Sequence, residues 1–147
     1  MQRRILIQGM TALAAAICVP TVRAEQRLGF DELYEGRSVL GLKLSAKLRA
    51  LTGSRVTIEG FMAPPLKADA PFFVLTREPV SLCPFCNTDA DWPDSIILVK
   101  LRRAQDFVQA NRPILVTGRL ESGSQTDEST GFVSLVRLTD AQYRISP

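Results

Sequence analysis

Arg55-Val56-Thr57-Ile58-Glu59-Gly60-Phe61-Met62 reads as a β-strand. Val56 and Ile58 fall on one face and Thr57 and Glu59 on the other, the period of a half-buried strand. Pro64-Pro65 ends it, since proline cannot donate to a ladder. Outward from this strand the same pattern recurs. Residues 72–77 form a short apolar second strand, and residues 95–101 a third, rich in branched side chains. Over 103–110 the period changes, with Ala104, Phe107 and Val108 spaced for two helical turns before Asn111 and Pro113. Residues 113–121 and 131–138 read as fourth and fifth strands around a polar turn at 122–130. Three strands, a short helix and two strands is the order of a small five-stranded OB-like barrel. Gly60 and Gly118 fall inside strands, where glycine marks a bulge or bend. The competing arrangement is an open antiparallel sheet with helices on one face. The fold class expected is mainly β.

Upstream, residues 25–53 read as a helical lead-in to a domain spanning 54–147. Asp31 is placed to cap a turn carrying Leu33 and Tyr34. Ser45 is placed to cap a helix with Leu48 and Leu51 on one face and Gly53 as its stop.

Residues 1–24 have the layout of a cleavable signal peptide. Arg3 and Arg4 precede an apolar run over 5–19, and Val22-Arg23-Ala24 suits a signal peptidase. The run is short for a membrane span. Arg3-Arg4 before Ile5 and Leu6 also fits twin-arginine export, so both that and the general secretory route are open. The expectation is a periplasmic or secreted protein, without stable membrane insertion after cleavage. Cys18 would leave with the signal. Loss of Arg3, Arg4 and Arg23 takes the 18 basic residues to 15, equal to the 15 acids. The formal charge of +3 therefore belongs to the targeting segment, and a nucleic-acid surface is not expected.

The remaining thiols lie in Cys83-Pro84-Phe85-Cys86, followed by Asp89, Asp91 and Asp94 with Trp92-Pro93 among them. The chain has no histidine, which excludes a Ser/His/Asp triad, and no enzyme is expected. Three readings of the pair are open. In the first, Cys83 and Cys86 bind zinc or copper, with Asp89 and Asp91 completing or tuning the site. A single C-x-x-C is half a four-coordinate zinc site, whereas two thiolates can suffice for Cu(I). In the second, the pair is a disulfide that shapes a partner-binding loop. So small a ring contributes only about 2 kcal/mol by chain entropy. The third is thiol exchange. Reactive pairs usually open a helix in a thioredoxin-like unit, and the acids here would raise a thiol pKa while attracting a cation. Strand alternation brings Asp140 to the pole of this loop as an outside ligand and sends Met62 to the opposite pole. Trp92 and Phe85 are candidate partner contacts, against which stands the more ordinary reading of Trp92 as a loop tryptophan folded onto the barrel.

Gly60-Phe61-Met62-Ala63-Pro64-Pro65-Leu66, Phe72-Phe73-Val74-Leu75, Cys83-Pro84-Phe85-Cys86 and Asp91-Trp92-Pro93 together resemble an uncharacterised family of exported bacterial proteins with small OB-like domains. The resemblance covers roughly residues 45–138. Members of that family are often encoded beside ABC-type transporter components linked to metal handling. A more distant branch carries a C-x-H arrangement, from which Cys86 and the lack of histidine depart. The resemblance implies a periplasmic accessory protein with an ABC-type transporter or another periplasmic protein as partner.

Overall fold

The computed structural model describes residues 25–65, 71–81 and 92–147, and the chain is mainly β. Its elements are β1 (Gln26–Arg27), a 3-10 turn (Phe30–Glu32), β2 (Tyr34–Ser38), β3 (Gly41–Leu44) and α1 (Ala46–Leu51). Then come β4 (Arg55–Met62), β5 (Phe72–Thr76), β6 (Ile96–Leu101), β7 (Pro113–Thr126) and β8 (Val133–Ile145). One sheet has the order β1-β4-β5-β6-β8-β7, and β4 also pairs with β7. The pairings of β4, β5, β6, β8 and β7 therefore run in a cycle. All pairings within it are antiparallel except β6 with β8, which is parallel.

β4 is the strand on which the cycle turns. Arg55 to Phe61 pair with β7, while Phe61 and Met62 also pair with β5. The side of β4 left free before Phe61 is taken by β1, and Leu28 N–H donates to Thr57 O at 3.1 Å. Gly60 sits where β5 meets β4. A Cβ there would lie 2.7 Å from Thr76 O and 3.0 Å from Leu75 Cγ, so only glycine admits the approach. Gly118 plays the same part on β7, where a Cβ would lie 2.9 Å from Ala141 Cβ. Both expected glycine positions are thus places of close backbone approach.

The strands alternate to make two apolar clusters. Val56, Ile58, Phe73, Leu75, Ile97, Val99, Val116 and Leu138 belong to the larger one, which the lead-in closes with Leu28, Phe30, Leu33 and Leu48. Phe72, Val74, Ile96 and Leu98 face the other way and join Ala63, Trp92 and Phe132. Tyr34, Leu42, Val80 and Leu135 pack over this smaller cluster, and Tyr34 and Leu135 touch both.

Three expectations need correction. The lead-in is not mostly helical: it holds β1, a 3-10 turn, the antiparallel β2–β3 hairpin and one short helix. Leu40, Leu42 and Leu44 alternate with Gly41 and Lys43, and that period of two wins. Ser45 does cap α1, its Oγ accepting from Leu48 N–H at 3.0 Å. Asp31 caps nothing; the preceding turn is closed by Glu32, whose carboxylate accepts Gly29 N–H at 2.8 Å. No helix forms over 103–110. Val108 packs against the larger cluster, and the Gln105 side chain bonds the backbone of β8 instead. Its amide donates to Tyr143 O and accepts Tyr143 N–H, both at 3.2 Å. Finally, β7 and β8 run beyond the expected ends at 121 and 138, so the hairpin turn is shorter. Asp127 organises it, accepting from the backbone N–H and hydroxyl of both Ser129 and Thr130.

Candidate functional site

The connection between β5 and β6 carries the cysteine motif. Cys83, Phe85, Cys86, Asp89 and Asp91 lie outside the described residues, as do the segment 1–24 and Leu66. The two ends of the connection are described. Arg77 N–H donates to Ser95 O at 2.9 Å, which ties them together. Thr76 Oγ1 donates to Glu78 O at 2.6 Å, turning the chain out of β5. A cleft of about 230 Å³ opens at this stem, lined by Thr76, Arg77, Glu78, Val80, Pro93, Ser95 and Ile96.

Trp92 anchors the returning end. It is 1% exposed and meets Phe132 edge-on at 6.3 Å between ring centroids. Its indole N–H donates to Tyr34 Oη at 2.8 Å, so the polar end of the ring is satisfied. Burial is the first cause that pushes the Tyr34 hydroxyl well above the usual phenol range. Trp92 is therefore a core residue holding the loop stem to the β2–β3 hairpin. Of its two readings, the ring folded onto the sheet is the one found, and the partner contact is set aside because a nearly inaccessible ring has no surface to offer.

Asp140 is also not a spare metal ligand. Its backbone is left-handed, with φ of 49°. It occupies a bulge in β8, where the register against both β7 and β6 shifts by one residue. Arg102 grips both carboxylate oxygens, Nε to Oδ1 at 2.6 Å and Nη2 to Oδ2 at 2.7 Å. Arg55 Nη1 reaches Oδ2 at 3.2 Å. These guanidinium groups, Arg102 foremost, lower the Asp140 pKa to about 2. The two arginines stand far from Asp140 in sequence, and only the strand pairing brings the three together. The two expected placements at the poles are reversed: Met62, 4% exposed within the larger cluster, pairs with Leu75 beside the loop stem, while Asp140 sits with Arg102 at the far end of β6, because β8 runs parallel to β6.

Among the described residues no group of three or more His, Cys, Asp or Glu is arranged to hold a metal ion. No helix among them is long and apolar enough to cross a membrane. The β2–β3 tip carries the most exposed apolar side chains, Val39 and Leu40 at 102% and 93%. Ser38 Oγ accepts Leu40 N–H at 3.1 Å and Gly41 takes a φ of 108°, so the turn itself needs neither side chain.

No family model and no curated protein matches the chain. A solved structure does: the crystal structure of a DUF3299 family protein from Pseudomonas aeruginosa PAO1 has a TM-score of 0.59 at 13% identity, over 85% of this chain and 98% of that one. At that identity the likeness is one of fold, and the chain is similar in fold to that DUF3299 protein.

Proposed function

We propose that the cycle of strands is an OB-like barrel, and that the chain is a periplasmic accessory protein binding zinc or copper through Cys83 and Cys86 in service of a transport system. The barrel reading is supported by the pairing cycle, with β4 shared between β5 and β7 and the parallel contact of β6 with β8. The observation that carries the functional reading is the stem. The C-x-x-C motif is strung between two points held by Arg77 with Ser95 and by the buried Trp92. The two-residue spacing of Cys83 and Cys86 offers two thiols to one ion, on a connection whose two ends are fixed. Asp89 and Asp91 follow within the same connection, and their charge suits a cation better than a reactive thiolate.

Metal content and thiol titre of the reduced, purified protein test this reading. One ion per chain is expected, lost in Cys83→Ser with Cys86→Ser. Failure to bind Zn(II) or Cu(I) at micromolar concentration sinks it.

A second reading has its own support in the exposed Val39-Leu40 tip. Two apolar side chains without a local role suit an interaction module, with a Cys83–Cys86 disulfide shaping its own loop for a protein partner. In that case the double serine variant weakens partner binding with no dependence on metal.

A further inference from the structure

Four arginines collect around the Asp140 bulge. Arg55 and Arg119 are direct cross-strand partners in the β4–β7 pair. Like charges so placed repel, which is a cost the fold accepts. Arg102 and Arg55 share the single carboxylate of Asp140. Arg103 follows Arg102, and the side chains of Arg103 and Arg119 make no ion pair or hydrogen bond among the described residues. Residues 25–147 as a whole balance 15 basic against 15 acidic side chains, so this concentration of one sign is local.

The patch has a concave part. A cleft of about 340 Å³ is lined by Arg102, Arg103, Ala104, Gln105, Ala141 and Gln142. Arg102 spends two of the five N–H donors of a guanidinium on Asp140. That grip orients its plane beside the cleft while its remaining donors stay unspent. Among the described residues, Glu25 accepts from Thr57 Oγ1 at 3.2 Å, and the backbone carbonyl of Asp106 accepts from the Tyr143 hydroxyl. We infer that this cleft binds a phosphate group, with Arg103 as the principal contact, Arg102 as the pre-oriented one, and Arg55 and Arg119 supplying the field around it. A guanidinium fork matches phosphate oxygens in pairs, which favours phosphate over a monovalent halide. The group can come from a free phosphate ester or from a phospholipid headgroup. The cleft stands at the end of β6 opposite the stem of the cysteine-bearing connection, and its test does not depend on metal.

The test is an NMR titration of the full chain with inorganic phosphate at constant ionic strength, with chloride as control. Saturable shifts at 102–105 and 139–142 are expected, with affinity falling about tenfold in Arg103→Gln. Arg103 is exposed and makes no side-chain bond among the described residues, so the variant keeps the wild-type circular dichroism. Sedimentation with phosphatidylglycerol vesicles assigns the source. Vesicle binding that phosphate competes away supports a headgroup, and phosphate binding without vesicle binding supports a free ester. Shifts no larger than with chloride, or an Arg103→Gln variant that binds phosphate as wild type does, overturn the inference.

Discussion

The two apolar clusters lie on opposite faces of the same strands and are closed by different means. The larger one is lined by five mutually paired strands, with Leu28, Phe30, Leu33 and Leu48 of the lead-in packed against it. The smaller is covered from outside, by the β2–β3 hairpin and by Trp92 from the cysteine-bearing connection. Any alternating five-stranded sheet can supply the first. The second depends on one tryptophan and one hydrogen bond to Tyr34, and it links the loop stem to the sheet. Shared contacts from Tyr34 and Leu135 argue that the two clusters melt together.

The severest test of the smaller cluster is Trp92→Ala. Removing the buried ring is expected to cost about 3–5 kcal/mol, read from urea unfolding by circular dichroism. A loss under 1 kcal/mol would mean that the hairpin cover contributes little. The matching test of the larger cluster is Gly118→Ala, whose Cβ meets Ala141 Cβ and Thr139 O. It should destabilise by about 1–3 kcal/mol. Trp92 is the single tryptophan, so its fluorescence reports the smaller cluster alone. In Gly118→Ala the fluorescence and circular dichroism midpoints should still coincide; separate midpoints would show that the clusters are independent. Tyr34→Phe keeps the ring but strips the buried indole N–H of its acceptor, at about 1–2 kcal/mol. An unchanged midpoint would show that the bond is dispensable.

The smallest effect belongs to Asp140→Asn, which touches neither cluster. Asp140 has a depressed folded pKa, so its contribution is full above the unfolded carboxylate value of about 3.9 and is lost as pH falls through about 2. Wild type should therefore exceed the variant in stability at neutral pH, with the gap closing between about pH 4 and about pH 2. A gap independent of pH would remove the arginine pairing as its cause.

The strands that line the larger cluster were legible because their alternation is local: Val56 with Ile58 states a buried face without any neighbour. Gly60 and Gly118 were legible for the same reason, as glycines inside strand patterns. The β2–β3 hairpin was missed although Leu40, Leu42 and Leu44 alternate, because helix signals at Ser45 and Leu48 follow at once. Trp92 was legible as a loop tryptophan folded onto the sheet, but its acceptor, Tyr34, was not, since it comes from a distant hairpin. The Asp140 bulge had no sequence signal at all. Asp140 is an ordinary residue until pairing sets Arg55 and Arg102 on either side of it.

The amide of Gln105 has one more consequence. β6 stops pairing with β8 at Ala141, which leaves the backbone of Tyr143 open on that edge. Exposed strand edges are templates for another chain. A carboxamide sets an N–H donor beside a carbonyl acceptor, the same pair that an incoming strand would present. By occupying the N–H and C=O of Tyr143 together, Gln105 acts as a one-residue counterfeit strand. The chain thereby closes its edge against copies of itself without spending a helix or a longer sheet on the task.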